Sequence, residues 1–565
     1  MTQDTTLLDI QPKYVTLDDL LYGRLFRIPS YQRNYSWEKK HREDLFNDIL
    51  YTWNNGETKL HFMSTIVGLY REKITISTKA HDVIEIVDGQ QRLTTLIILL
   101  KAIEKSLNTT KRFEHQIKNE LNSLLVKDDS ATLLLLQTNH DSSDYFANYI
   151  KTGTHSNSDD ANTYADTQLL SCIEECEIFV SKWLKSRSSL EDLVSLLKNK
   201  LTFVFHGIKD ESLVYTVFEV LNSRGLEVPW FDRLKSIFMA IVFESNNENK
   251  IELIEQVHNL WTAIYNIIGK RIGSSSESLR FAATLDVIEC PSKTLSEEMA
   301  TDYFRNKCDG NPSEVLEISA FLKTVTEALE KLLSNRRISS VTKIAQARLV
   351  AISVLLRSDF TVEERKDLLR RWEKVTFRIY GLFDNDARTA VGDFVRLAWK
   401  IRHDDLSSIE ILEKLSHIGK DYPIKSAVKM LRDTDRYNHW EENLRYFLYR
   451  YEEYLAERKH QVFENEQWNR IWKESPSKSI EHIYPQSRSD AKWIHWIGNL
   501  LILPPKLNSS LQDSMPKQKA KSYSETGLLS AFEVSKEILK GKWKKEEIRA
   551  RGEKLIKWAL TEWSG

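Results

Sequence analysis

Residues Ser479 to Lys521 are the most constraining stretch of the chain. A β-like run from Ser479 to Tyr484 holds the pair Glu481–His482 and is ended by Pro485, whose ring removes a backbone donor. A short polar loop follows. Asn499 opens a second apolar run, Leu500 to Leu503, closed by Pro504–Pro505, and Asn508 stands nine residues after Asn499 where helix-compatible sequence begins. The order is strand, loop, strand, helix start. Glu481 and His482, as strand neighbours, point to opposite faces in ideal geometry. A Glu-His pair alone is ordinary structural sequence; the ordered set is what constrains the fold.

Phosphodiester hydrolysis needs a base to deprotonate water and a divalent cation to stabilise charge on the phosphate and the leaving oxygen. A hard cation takes oxygen ligands and keeps several waters, so few protein groups suffice. The signatures EHxxPQ (Glu481 to Gln486), GNLxxL (Gly498 to Leu503) and LN (Leu507–Asn508) resemble the His-Asn-His (HNH) endonucleases, a ββα-metal fold. The resemblance implies that His482 is the general base and that Asn499 braces the catalytic loop. It further implies that Glu481 and Asn508 hold Mg²⁺ or Mn²⁺, which for Glu481 requires a twist or bulge in the strand. Lys517, Lys519 and Lys521 are expected to meet phosphates.

A second group of motifs lies near the other end. Arg27–Ile28–Pro29 leads into a segment ending Tyr35–Ser36–Trp37, after which Ser36 is expected to cap a helix running to about Trp53. Phe62 to Tyr70 and Val83 to Val87 read as strands, and Leu93 to Leu107 as a helix. The turn between the second strand and that helix is Asp88–Gly89–Gln90–Gln91–Arg92. Local rules make Asp88 an N-cap and Gln91 its capping-box partner. The same turn also offers free backbone N–H groups and a positive dipole end to a phosphate. An amphipathic helix, Leu213 to Val220, precedes Leu221–Asn222–Ser223–Arg224–Gly225, and Asp232 and Lys235 close the block.

IPxYQRxYxW, DGQQRLTTL and FxxLNSRG with a later DxxK are similar to the N-terminal domain of the GmrSD-type, modification-dependent (type IV) restriction proteins. The core of that domain looks like the ParB/sulfiredoxin fold, and the HNH variant is its usual partner. The resemblance covers roughly 1–245 and 430–565. It implies nucleotide binding by Gln32, Arg33, Gly89, Gln90, Asn222 and Arg224, with hydrolysis assisted by Asp88, Gln91 and Arg92. Two departures bear on the pocket's fine shape: Ser64 stands where the family usually has Gly, and Pro229–Trp230 where Thr or Ser and a polar residue are typical.

Between these ends the pattern is helical, with a polar stretch (Thr152 to Thr167) expected as an exposed loop. Amphipathic segments fall at Ile251–Ile268, Ile318–Leu333, Lys343–Leu356 and Val362–Tyr380. In the tail, Phe532 to Trp563, lysines and glutamates alternate as on a solvated helix face. Trp543, Ile548 and Arg551 fit a family pattern, WxxxxIxxR, that suggests packing on the nuclease core, and Lys542–Lys545 is the best local candidate for DNA-backbone contact. Lys+Arg 80 against Asp+Glu 81 leaves a net charge of −1, so nucleic-acid contacts must come from local patches. Cys172, Cys176, Cys290 and Cys308 form no CxxC pair, which argues against structural zinc and a disulfide framework. No signal peptide or membrane span is expected.

The expected fold class is α+β and predominantly helical. It comprises a ParB/sulfiredoxin-like α/β core with a helical extension (1–245), a helical middle region (246–430) and an HNH domain embedded in helices (431–565). The expected function is a cytoplasmic, metal-dependent endonuclease of bacterial anti-phage defence. It would cut foreign double-stranded DNA, modified DNA included, gated by hydrolysis of GTP, UTP or ATP. Homo-oligomers and partner proteins of a defence system stay open. So do two other functions: a non-catalytic nucleotide- or DNA-binding sensor, and a broad nuclease toxin of an abortive-infection system.

Overall fold

In the computed structural model, residues 12–29, 32–55, 60–76, 78–127, 133–138, 143–158, 161, 163–186, 189–210, 229–245, 249–271, 273–461, 471–472, 475–489 and 491–564 are described. Asn222, Arg224 and the helix expected at Leu213–Val220 lie outside them. Two compact units form: Met1–Ala283 with Leu295–Glu327, and Thr284–Thr294 with Ala328–Gly565. Residues 246–430 are thus divided between the units.

In the first unit, β1 (Lys13–Thr16), β2 (Arg24–Ile28), β3 (His61–Ile76), β4 (Lys79–Asp88), β5 (Leu136–Thr138) and β6 (Leu201–Ile208) build one mixed sheet. Among the described residues its order is β1-β6-β3-β4-β2-β5. The β3–β4 hairpin is antiparallel, while β6 and β2 flank it in parallel. The expected strands Phe62–Tyr70 and Val83–Val87 are the inner parts of β3 and β4, which the hairpin extends.

β4 stops at Asp88 because Gly89 turns the chain in the left-handed region, at φ 88°. A Cβ there would stand 2.9 Å from Ile66 Cγ1 and 3.3 Å from the Thr65 carbonyl oxygen, so glycine is required on both counts. Helix α2 (Gln90–Ser106) follows. Its residues Leu93, Leu96 to Leu100, Ala102 and Ile103 are all buried, as are Thr94, Thr95 and the Lys101–Glu104 ion pair, so the helix is enclosed on all faces.

Helix α1 is Lys39–Asn54, two residues later than the Ser36 cap predicts. The Ser36 N–H is taken by the Gln91 side chain, which holds residues 34–37 extended. Arg42 of α1 is buried and donates to both oxygens of Glu175 at 2.8 Å, on α3 (Tyr164–Ser186). It also donates to the Trp37 carbonyl and, at 2.9 Å, to Gln168 Oε1. Cys172 and Cys176 lie one turn apart on α3 and are buried free thiols. Two further helices, α4 (Trp230–Glu244) and α5 (Lys250–Ile268), belong to this unit.

Among its described residues the second unit's only strands are β7 (Ile480–His482) and β8 (Leu500–Ile502), an antiparallel pair with Ile480 opposite Ile502 and His482 opposite Leu500. Around them lie α6 (Glu441–Glu457), α7 (Pro505–Leu511), α8 (Pro516–Ser524), α9 (Leu529–Lys540) and α10 (Lys545–Glu562). The segment expected as one helix from Val362 to Tyr380 is α-helical to Thr376 and then widens into a π-helical turn, Phe377–Leu382.

Arg42 is a buried cation with a bidentate partner, so removing it strands Glu175 beside the core. Arg42→Ala is expected to cost about 3–5 kcal/mol in the unfolding of the first unit, measured by urea titration.

Candidate functional site

The short β7–β8 ladder depends on Asn499, which is fully buried. Its Oδ1 accepts from the Tyr484 N–H at 2.8 Å and from Trp543 Nε1 at 3.3 Å. Its Nδ2 donates to the carbonyls of Tyr484 and Ile494 at 3.0 and 2.8 Å. The amide therefore locks the end of β7 to the loop before β8. Arg551 of α10, also buried, donates from Nη1 to the carbonyls of Gly498 and Leu500 at 2.9 and 2.8 Å. Gly498 fits because it has no side chain: a Cβ would sit 1.9 Å from the Ile548 carbonyl oxygen. Trp543, Ile548 and Arg551 thus pack on the GNL loop, as the tail pattern suggests.

Glu481 and His482 meet different partners, as strand alternation requires. Glu481 Oε1 lies 2.6 Å from Lys519 Nζ and accepts from the Tyr523 hydroxyl at 2.7 Å, both on α8. Burial lifts the Glu481 carboxyl above its usual range against the pull of these partners. Both contacts use Oε1. His482 Nε2 lies 3.1 Å from His495 Nδ1, and the Tyr437 ring packs on His482 at 4.4 Å between centroids. Burial, with His495 and Lys519 nearby, pushes the His482 imidazole down to about 3, with Asp435 opposing. His482 is therefore neutral, with a lone pair, at physiological pH.

Asn508, on α7, donates from Nδ2 to the carbonyls of Lys478 and Ile480 at 2.8 and 3.1 Å. Those two bonds orient the amide and leave Oδ1 as the end that a cation could use. Asn508 Oδ1 is a hard oxygen donor suited to a cation that keeps most of its waters, whereas β7 keeps a regular register without a bulge and leaves the Glu481 carboxylate on Lys519. A cleft of about 800 Å³ beside His495 is lined by Asp433, Asp435, Gln486, Lys492 and Trp496.

In the first unit, three glutamines strap residues 32–37 to the β4–α2 turn. Gln32 Nε2 donates to the Val87 carbonyl at 3.3 Å, and Gln90 Nε2 to that of Arg33 at 3.4 Å. Gln91 Oε1 accepts from the N–H groups of Ser36 and Trp37 at 2.8 and 3.3 Å, while its Nε2 donates to the Asn34 carbonyl at 3.1 Å. Asp88, Arg33, Arg92 and Asp232 interact as one electrostatic cluster. Burial raises the Asp88 carboxyl, the Gly89 N–H, Arg33 and Arg92 oppose this, and Asp232 adds to it.

Arg33 Nε lies 3.4 Å from Asp232, which also accepts from the Tyr265 hydroxyl at 2.6 Å. Arg92 stacks over the Trp37 ring at 5.3 Å. Arg92 Nε and Gln90 Oε1 are buried with no protein partner. Lys235 is buried, which lowers its ammonium to about 7 against the pull of Asp232. A cavity of about 220 Å³ is lined by Arg33, Asn34, Asp232, Tyr265 and Arg271.

A family model described as GmrSD restriction endonuclease, N-terminal domain, matches residues 17–239. One described as GmrSD restriction endonucleases, C-terminal domain, matches residues 424–558. Together they cover more than half of the chain. The chain belongs to the GmrSD restriction endonuclease family. A comparison with curated proteins finds no match. Membership makes it a nuclease whose substrate is DNA, and among the described residues no helix is long and apolar enough to cross a membrane.

Within this GmrSD-family chain, several side chains depart from expectation. Lys519 was expected at phosphates but is fully buried on Glu481, whereas Lys517 and Lys521 are exposed. The Asp88–Gln91 capping box does not form: Gly89 is the cap, Asp88 Oδ1 accepts from the Gly89 N–H at 2.8 Å, and Gln91 faces the 34–37 strap. As placed, Gln91 supports a loop and its acceptor is filled. Ser64, at the family's glycine position, is buried with an unpartnered hydroxyl.

Tyr523, His495 and Tyr437 escape the motif reading, which names Lys519 but in another role. For Lys519 and Tyr523 the available signal is their i,i+4 spacing on one helix face.

The His482 environment carries a pH signature. Between the ordinary imidazole value of 6.5 and about 3, the unfolded chain binds a proton at this residue that the folded chain does not. Its contribution to stability is therefore full above about 6.5 and is lost as pH falls below it. Chemical denaturation from pH 7.5 to 4.5 should show a fall in stability that is shallower in His482→Gln.

Proposed function

We propose that the chain is a nucleotide-regulated, divalent-metal-dependent DNA endonuclease of anti-phage restriction. In this reading the second unit cuts, and nucleotide hydrolysis in the ParB/sulfiredoxin-like first unit gates the cut. The observation that carries the nuclease reading is the neutral His482 on a strand end locked by Asn499, in contact with His495, which lines an open cleft. A divalent cation, held by Asn508 Oδ1 and, once Lys519 releases the carboxylate, by Glu481, would neutralise charge on the scissile phosphate and the leaving oxygen.

His482 accepts the proton of the attacking water at a ring nitrogen. Asn499 does not touch substrate; it fixes the chain on either side of the base. Lys517, Lys521 and the exposed Lys542, Lys544 and Lys545 are candidates for backbone phosphates, and contacts of that kind make binding salt-dependent.

For the first unit, the reading rests on the convergence of Arg33 and Arg92 with Asp88 at a strand-to-helix turn. Two guanidiniums and the start of α2 favour an anionic phosphate chain. The buried, unpartnered Gln90 Oε1 and Arg92 Nε are polar atoms that a bound nucleotide or its water would satisfy. Asp88 is the group suited to orient a water or a cation, with Asp232 and Lys235 completing the charge balance. The substrate base, GTP, UTP or ATP, is for binding assays to assign.

His482→Ala should reduce cleavage of phage and plasmid DNA in Mg²⁺ or Mn²⁺ by at least ~100-fold while leaving triphosphate hydrolysis unchanged. Arg92→Ala should abolish triphosphate hydrolysis. Retained cutting by His482→Ala would remove the base assignment, and unchanged hydrolysis in Arg92→Ala would remove the nucleotide assignment.

A further inference from the structure

The His482–His495 contact reaches beyond the HNH residues already described. Two ring nitrogens 3.1 Å apart are stable only with one hydrogen between them: two lone pairs repel and two hydrogens collide. One ring donates and the other accepts, and the choice decides which nitrogen of His482 is free.

The surroundings of His495 bear on that choice. Its ring stacks on Tyr437, 5.6 Å between centroids and 14° from parallel, and its carbonyl accepts from the Arg436 N–H at 3.0 Å. The loop that carries Tyr437 is organised by Asp435, which accepts from Asn438 Nδ2 at 2.7 Å and from the N–H groups of Tyr437 and Asn438 at 2.9 and 3.1 Å. Burial works against ionisation of Asp435, yet these three bonds hold its carboxyl below the usual carboxylate range. His495 and Asp435 line the same cleft, where carboxylate and water can accept a hydrogen from the His495 ring, and Nδ1 is the atom turned to His482; the hydrogen then sits on the outer nitrogen, Nε2, and Nδ1 is bare. His482 must then donate from Nε2, leaving its Nδ1 with the lone pair.

We propose that His495, supported by Asp435 and Tyr437, is a positioning residue of the nuclease centre, setting the ring orientation and tautomer of His482 so that Nδ1 receives the water's proton. The chemistry is that of an oriented base: the third group carries no charge to the substrate but holds the base in its useful form. After proton transfer, His482 is an imidazolium whose Nε2–H still points to the His495 lone pair, so the positive charge forms against an acceptor already in place.

The inference rests on His482 being the base, and the experiment separates the two. Single-turnover DNA cleavage is compared for wild type, His482→Ala, His495→Leu and His495→Gln, with melting temperature and DNA affinity measured for each. Leucine fills the space without an acceptor, whereas the glutamine carbonyl can accept from His482 Nε2–H. The expected result is a loss of about 100-fold in the cleavage rate for His495→Leu at unchanged DNA affinity, with most of the rate restored in His495→Gln.

Equal rates in the leucine and glutamine variants, or a loss confined to DNA affinity, would overturn the role of His495. Wild-type cutting by His482→Ala would instead overturn the base assignment on which it stands. Should the leucine variant not fold, nitrogen-15 NMR of histidine-labelled wild type decides: His482 protonated on Nε2 with a bare Nδ1 supports the inference, and the reverse tautomer contradicts it.

Discussion

The amide of Asn499 makes four hydrogen bonds in a place that no solvent reaches, and the second unit's chemistry depends on them. A buried amide with every group satisfied is rigid, because any displacement breaks bonds that water cannot replace. β7 is only three residues long and could not hold His482 in register alone. The amide ties the residue after the strand to the approach of β8, and Trp543 and Arg551 tie both to the last long helix. Gly498 lets that helix come close enough to do so. His482 is thereby held on a framework fixed by hydrogen bonds to side chains from outside the strand pair.

The first unit solves a related problem by other means. Its Asp88–Arg92 turn must keep backbone and guanidinium groups near one another without a ligand to organise them. Gln32, Gln90 and Gln91 accomplish this by bonding to main-chain groups across the gap between residues 32–37 and the β4–α2 turn. Two motifs that are far apart in sequence are thus one structural object. Arg33 and Arg92, one on each side, lie within electrostatic reach of Asp88 because the strap is closed, and α2, buried on every side, anchors the turn in the core.

How much of this was legible in the sequence follows from range. His482, Asn499 and Asn508 could be read because strand, loop and helix start are consecutive, and period-2 and turn signals mark them. Lys519 was misread because a lysine among lysines looks solvated; only the distant Glu481 gives it a reason to be buried. His495 had no signal in its own neighbourhood, since its partner is thirteen residues away and Tyr437 belongs to another loop. The Ser36 and Asp88 caps failed for one cause: local rules assumed that each N–H would find a nearby side chain, and Gln91 reached from another element first. Helix existence at Ile251–Ile268 and Val362–Tyr380 was legible from amphipathic period, whereas the π-helical turn at Phe377–Leu382 was not, because it arises from packing.

The most direct test of the account is the single-turnover rate of DNA cleavage by Asn499→Ala, with DNA affinity and melting temperature measured on the same samples. If the buried amide is what holds the base in place, the variant keeps its DNA affinity and a folded first unit but loses cutting by about 100-fold or more, although His482, Glu481 and Asn508 are all still present. Cutting at the wild-type rate by a folded Asn499→Ala protein would contradict the account.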